Sequence, residues 1–583
     1  MDIGQFIKYK HYKRDVITVV ILCADSTVKI KGGIQMKRML AALLAVLMIA
    51  SLSACGSSPT EKKGSDSSEA KISTVMTSDP DTLDPGRADD DQKNQIVLET
   101  QETLVRLIDG KLTPAGAEKY EQSQDGLTWT FHLRDNKYSD GTAVKAQDYV
   151  NSIRRVFDPE VNCHNAGIFY CIKGGEAFNT GKGSKEDVGV KAVDEKTLEI
   201  TLTEALPYFA QLLTFANITP VPESKTQGAA NSSYGATAQE LSQCGPYYVS
   251  EWTRGSQVIL KKNPNYWDAA NIKLDQIDML LAQDENTRQQ LFDTGKIDVL
   301  RNVRAEYVNS LQSKIDSKEV TLISNPKASN SYICFNNNDP KGVFTNEKIR
   351  KAFAIAFDRE AYTSSVLKKN KPAGGLIPYG MSIGTDEYRS LYKEPMSELL
   401  SQDAKALLEE GLKEIGKSGQ TLEVTFLQKN SDNETKVAAE YYQNQWQTKL
   451  GVKVNIETAS DNSSFNNQVS KGLYQVCETG WGADYNDPMT FFQCYTTGDG
   501  NNPAFFSDAT YDKLVNANKT EADMTKRGEN FAQAEKILTV DKCGISPIIF
   551  GYQNVVLNSK LKGVYINGSG GPSLEFRDAQ LEK

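Results

Sequence analysis

Histidine is almost missing from this chain. Three occur among 583 residues, and only His132 and His164 follow residue 55. There is no H-E-x-x-H, no G-x-S-x-G and no G-x-x-x-x-G-K-[ST], which argues against a zinc hydrolase, a serine-nucleophile elbow and a nucleotide phosphate loop. His132 falls in the middle of an alternating strand, the setting of a structural histidine. No metal site and no cofactor are expected. Gly181-Lys-Gly-Ser-Lys185 has the composition of a phosphate loop but the wrong spacing, and reads as a surface loop. Cysteine is sparse: Cys23, Cys55, Cys163, Cys171, Cys244, Cys334, Cys477, Cys494 and Cys543, none of them in C-x-x-C. Cys163/Cys171 or Cys477/Cys494 bridge only if the fold brings them together, and buried free thiols are expected for most. Beyond residue 55 no apolar run approaches membrane length.

The one strongly apolar run is Met36 to Cys55, MKRMLAALLAVLMIASLSAC. Lys37 and Arg38 precede it, small residues follow it, and it is too short for a stable membrane helix. Leu52-Ser-Ala-Cys55 resembles the lipobox of bacterial lipoprotein signals. By that resemblance Cys55 is diacylated and becomes the mature N-terminus, and two acyl chains hold a protein stably at a membrane. Residues 36–54 are then the signal and 55–70 a flexible, Ser-rich tether. Residues 1–35 place that signal unusually far from the start. Lys31-Gly32-Gly33 can be encoded as a ribosome-binding site about seven nucleotides before the Met36 codon. Translation is therefore expected to begin at Met36, with 1–35 a mis-annotated leader.

Of 66 basic and 75 acidic residues, 8 and 3 precede Cys55, leaving 58 against 72, a net of −14. Such a surface disfavours nucleic acid and anionic lipid as partners. The chain is too long for one core. Trp129 to Leu133 alternates as a strand, Ser139 to Gly141 is a turn, and Ala146 to Phe157 is helical. Asp194 to Lys196 turns between strands at 188–193 and 197–202. Ile349, Ala352, Phe353, Ala356 and Phe357 form one helix face, with Asn346 as N-cap. A helix at 401–415, a strand at 422–427, a helix at 436–450 and a strand at 452–457 suggest an α/β lobe between about 330 and 550.

Trp481-Gly-Ala-Asp-Tyr-Asn-Asp-Pro488 is the densest aromatic and acidic cluster. Asp484 between Trp481 and Tyr485 can hold a cation in an apolar cleft, because hydrogen bonds to charge are strong there. A capping turn with core aromatics is the structural alternative. The acidic run Asp89-Asp-Asp91 reads as a solvated face, and a two-carboxylate hydrolase remains open at this level.

This cluster resembles the ligand-site motif of oligopeptide-binding proteins of ABC importers, the family 5 extracellular solute-binding lipoproteins. So do Trp129 to Arg134, Tyr138 to Asp148, Val188 to Asp194, Leu206 to Phe209, Gly245 to Tyr247 and Asn263 to Trp267, in order. The resemblance implies an α/β, two-lobed periplasmic-binding-protein-like fold with an extra subdomain in the first lobe and the ligand cleft between lobes. Lobe I would comprise 71–325 and 553–583, with a subdomain at about 103–235. Lobe II would be 326–552, and hinge strands would lie near 325 and 552. The implied role is a non-catalytic, monomeric receptor on the outer face of the cell membrane, handing oligopeptides to permease subunits. In that reading Asp484 binds the peptide α-amino group, and Trp481, Gly482 and Tyr485 shape that end of the cleft. Tyr332 and Asp89 are weaker site candidates. Relatives of the fold take nickel, sugars or other solutes; scarce histidine disfavours nickel, and Asp484 favours an amine over a sugar. The sequence departs from some oligopeptide receptors at Glu478, where they carry a basic residue for the peptide carboxylate, and at Gly482, which can be a disulfide Cys. Longer or C-terminally amidated peptides should therefore be tolerated, and a hundredfold loss on amidation would contradict this.

Overall fold

The structure, a computed structural model, describes residues 69–582 apart from Asp109, Ala229, Lys369 and 569–573. The leader, the signal-like run, Cys55 and most of the tether lie outside the described residues. Among those described, no helix is long and apolar enough to cross a membrane.

The chain opens on strand β1 (Lys71–Met76) and helix α1 (Asp91–Thr100), whose first turn is capped by the Asp90 carboxylate. Strands β2 (Ala117–Gln122), β3 (Thr128–Leu133), β4 (Val190–Ala192) and β5 (Thr197–Thr201) build a separate sheet in the order β2-β3-β5-β4. Helix α2 (Ala146–Val156) packs on it. Trp129, Phe131 and Leu133 point into its core, as their alternation requires, and His132 takes the opposite face with its Nε2 3.1 Å from Glu121. Strands β6 (Tyr247–Thr253), β7 (Gln257–Lys262) and β8 (Gln276–Leu281) then return to β1, in the order β1-β8-β7-β6.

The central sheet uses β9 (Val299–Arg301) and the long β10 (Val320–Phe335). Helix α3 (Glu347–Ile355) follows, with Asn346 accepting from the Ile349 N–H as its cap. Next come β11 (Lys371–Pro372), α4 (Ala404–Glu414), β12 (Glu423–Gln428), α5 (Asn433–Leu450) and β13 (Lys453–Thr458). Strands β12 and β13 are parallel, so β12-α5-β13 is the βαβ unit that the pattern predicts. Strand β14 (Val476–Gly482), helix α6 (Met524–Lys536) and the long β15 (Ile545–Asn558) complete it. The order is β9-β15-β10-β14-β12-β13, with β11 added to β15.

Strands β10 and β15 belong to two cores at once. Val555 and Leu557 of β15 pack with Ile72, Leu260 and Ile277 of the first lobe. Ile548 and Ile549 pack with Phe353, Phe426 and Trp446 of the second, together with Ile333 and Phe335 of β10. Between these regions the ladder breaks. Pro326 pairs with Tyr552 and Asn330 with Phe550, so residues 327–329 stand opposite Gly551 alone. A Cβ on Gly551 would lie 2.2 Å from the Ser329 Oγ, so a side chain at this crossing would force the Ser329 hydroxyl to turn away.

All seven described cysteines are free, and six are buried. Cys477 stands opposite Cys334 on β10, not beside Cys494, whose thiol donates to the Thr490 carbonyl. Burial raises the Cys477 thiol.

A buried charged network clips the C-terminal segment onto lobe I. Arg106 bonds Glu102 at 2.8 Å and Glu575 at 2.5 Å, and the Phe576 N–H donates to Glu99 at 2.9 Å. Burial, with Glu575 nearby, pushes the Glu99 carboxyl up to about 8. From its ordinary value of 4.5 up to about 8, the folded protein holds a proton that the unfolded chain has released. Stability from this group is therefore greatest at the acid end and lost as pH rises through that window. Glu99→Gln should remove the dependence and stabilise the protein at pH 8 by on the order of 1–3 kcal/mol relative to pH 5. Melting curves of both proteins across pH 5–9 check this. Parallel curves would contradict it.

Candidate functional site

Strand β14 is paired on one side along its length and on the other only at its start. Strand β10 faces it from Phe335↔Val476 to Ser329↔Gly482, whereas β12 pairs only with Val476 and Cys477. The ladder's phase follows from its two ends. Asn336 N–H donates to the Gln475 carbonyl at 2.9 Å, and Ala483 N–H to the Ala328 carbonyl at 2.7 Å, in the same register. In an antiparallel pair hydrogen-bonded positions alternate, so odd-numbered residues of β14 bond β10. The backbone groups of Glu478, Gly480 and Gly482 therefore point away from β10, along an edge that no described strand covers. Gly480 has a packing reason to be glycine, since a Cβ there would lie 2.3 Å from the Asn330 carbonyl oxygen. Gly482 has none: nothing stands within 4 Å of its Cβ position.

The loop after β14 carries two acids with opposite fates. Asp487 is buried and holds Arg527 of α6 through two bonds of 2.7 Å. The Arg527 guanidinium also lies 4.9 Å from the Phe531 ring and 5.4 Å from Tyr208. Asp484 is half-buried and, among the described residues, has only the Thr490 hydroxyl donating to it, at 3.1 Å. The same hydroxyl accepts from the Asp484 N–H at 3.0 Å, which fixes the turn. Burial raises the Asp484 carboxyl, and the Thr490 bond partly offsets this. A desolvated carboxylate with one neutral donor is a strong acceptor for an ammonium group.

Around them, Tyr485 is buried with its ring stacked on Tyr208 at 5.1 Å, joining this loop to the β2–β5 subdomain. Trp481 is half-buried with a buried Nε1 that has no partner among the described residues, and it lines two cavities. One, of about 430 Å³, is lined by Glu478, Tyr362, Phe426 and Glu434. The other, of about 690 Å³, includes Tyr332, Phe465 and Phe505. Tyr332 is 2% exposed and sits edge-on to Tyr495, so it is wall more than contact surface. The structure thus gathers Trp481, Gly482, Asp484 and Tyr485 on one strand and its loop, with Tyr332 behind them. Asp89 is exposed elsewhere and takes a 2.7 Å bond from Lys93, which also pairs with Asp81. Sequence reasoning did not single out Thr490, Tyr208 or Arg527 as site residues. Tyr208 alone left a trace, inside the Leu206–Phe209 motif that carries part of the resemblance.

A sheet shared by two lobes, with a strand edge that no described strand covers beside a desolvated carboxylate, defines a two-lobed binding protein. The profile of the bacterial extracellular solute-binding proteins, family 5 (middle region), matches residues 111–503, and the chain belongs to this family. It is 33% identical to the oligopeptide-binding protein OppA of Bacillus subtilis over 547 residues, covering 91% of this chain and 97% of that protein. The unliganded open form of the murein tripeptide-binding protein MppA matches with a TM-score of 0.76 at 25% identity, over 88% of this chain and 98% of that one. Peptide-bound OppA of Listeria monocytogenes matches with a TM-score of 0.66 at 30% identity, over 89% and 100%. These relatives are solute-binding proteins, not enzymes.

Proposed function

We propose that this protein captures oligopeptides on the outer face of the cell membrane and delivers them to an ABC permease. The observation that carries the reading is the edge of β14 at Gly480 and Gly482, which no described strand covers, leading on to Asp484. An extended peptide adds to that edge as a strand, with its α-amino group on the Asp484 carboxylate. Main-chain pairing is indifferent to side chains, so one site accepts many sequences. Peptide-binding relatives named above support the same ligand class. The role is non-catalytic and monomeric, and Cys55 carries the lipid anchor.

The lobes close about the ladder break at 327–329 and 551, where few backbone bonds resist bending. The higher similarity to an open unliganded relative than to a peptide-bound one fits a resting state with the cleft open.

Gly482 gives the sharpest test of strand addition. Its Cβ site is empty, so Gly482→Leu should fold with a melting temperature within about 2 °C of wild type. Its side chain would project from the sheet face beside the added strand, crowd the ligand side chain next to it, and should weaken peptide binding by roughly thirtyfold or more. Calorimetric titration with a mixed-sequence pentapeptide reads this. Unchanged affinity in a well-folded variant would rule out a ligand strand at this edge.

A further inference from the structure

We infer that a cavity beside α2 is a second ligand site, which takes a free amino acid with a polar side chain, bound as its zwitterion. The inference goes beyond the peptide reading and does not depend on it.

Gln147, Asn151, Arg154 and Arg155 fall at i, i+4, i+7 and i+8 of α2, so they share one face. That face is one wall of a cavity of about 330 Å³, at the small end of the roughly 300–1,000 Å³ of small-molecule sites. Lys185, from the glycine- and lysine-rich loop, lines it together with Glu160 and Glu223. No residue of β14 or of the loop after it is among the described lining.

Part of the wall is rigidly built. Arg155 is 5% exposed and donates to Asp84 at 2.9 and 2.7 Å and to the Asn231 amide oxygen at 3.0 Å. The Asn151 amide donates to the Val221 carbonyl at 2.9 Å and to the Thr226 hydroxyl at 3.1 Å. Arg154, beside Arg155, is left without a counterpart. It is half-buried, its Nε is buried, and its side chain has no hydrogen bond or ion pair among the described residues. Lys185, Glu160 and Glu223 likewise have no side-chain partner among those residues. Asp158, the remaining acid of the described lining, accepts the Glu160 N–H at 2.9 Å.

Two cations and two acids thus line one small cavity without reaching one another. A partly buried guanidinium without an acceptor is costly, and a carboxylate from solution supplies charge-assisted hydrogen bonds to it. An amino acid carries that carboxylate together with an ammonium group for Glu160 or Glu223. One ligand of zero net charge therefore pairs both halves of the lining. The exposed Gln147 and Gln227 amides, also without side-chain partners among the described residues, offer donors and acceptors to a polar side chain.

The test measures L-glutamine binding by calorimetry to the protein stripped of co-purified ligand, with melting temperatures alongside. N-acetyl-L-glutamine, which keeps only the carboxylate, and L-glutaminamide, which keeps only the ammonium group, are the controls. Wild type should bind L-glutamine about tenfold or more tightly than either control. Arg154→Gln should weaken L-glutamine by about tenfold or more while a mixed-sequence pentapeptide binds as before. Asp484→Asn should leave L-glutamine within about twofold of wild type. The double change Glu160→Gln with Glu223→Gln, at two exposed positions, should bring L-glutamine down to the affinity of its N-acetyl form, and it decides the matter where Arg154→Gln fails to fold. No saturable L-glutamine binding to wild type up to about 10 mM would overturn the inference and leave the peptide reading standing. N-acetyl-L-glutamine binding as tightly as L-glutamine would also overturn it. So would loss of L-glutamine binding in Asp484→Asn, because that assigns the amino acid to the peptide cleft.

Discussion

Replacing Asp484 with asparagine is expected to cost peptide affinity on the order of 30- to 1,000-fold, the worth of about 2–4 kcal/mol for a charged hydrogen bond in a desolvated site. The change keeps the shape of the side chain and its place beside Thr490. Folding should be untouched or slightly favoured, because a buried charge is removed. The pH profile separates this role from a structural one. Burial holds the Asp484 carboxyl above its usual 3.8, and only the ionised form attracts an ammonium group. Wild-type affinity should therefore fall on acidification, beginning above pH 3.8, while the asparagine variant stays flat over the same range. Blocking the peptide's amino group by acetylation should cost wild type as much as the mutation does, and cost the variant little more. Equal losses on acetylation in both proteins would contradict the assignment.

The second large effect is on stability. Arg527→Met should destabilise the protein by about 3–5 kcal/mol, because it leaves Asp487 buried without its cation. Arg527 is fully buried, and its guanidinium, bonded twice to Asp487, also lies against the rings of Tyr208 and Phe531. The double change Arg527→Met with Asp487→Leu should recover most of the loss, since a packed apolar pair carries no unpaired charge. Denaturant unfolding of the two variants and wild type decides it. A double variant no better than Arg527→Met would mean that the guanidinium is needed for packing, not for neutralising Asp487. The same pair supports function indirectly, by seating the loop that aims Asp484.

Local elements were legible in the sequence wherever one face is wet. The helix capped by Asn346, the β12-α5-β13 unit and the strand centred on Phe131 all follow from apolar spacing and capping residues. Strand β10 was not. Its middle reads Ser324-Asn-Pro-Lys-Ala-Ser-Asn-Ser331, a loop by composition, and it is a strand only because β15 and β14 flank it. The motif at 481–488 singles out the stretch that holds the proposed site, but its two acids look alike in sequence. What separates them is an arginine 40 residues beyond Asp487 and a threonine 6 residues beyond Asp484. Likewise Glu478 owes its setting to hydroxyls 36 and 116 residues away. Such partners carry no local periodicity, so pattern reading passes over them. The spacing suggested one α/β lobe between about 330 and 550, and the two-lobed fold as a whole came from the resemblance to oligopeptide receptors.

The most direct test of the account is native mass spectrometry of the protein purified without stripping, beside Asp484→Asn. The account predicts a ladder of bound peptide masses on wild type that is lost or strongly depleted on the variant. A wild type that carries one non-peptide mass, or an equal peptide ladder on both proteins, would contradict it.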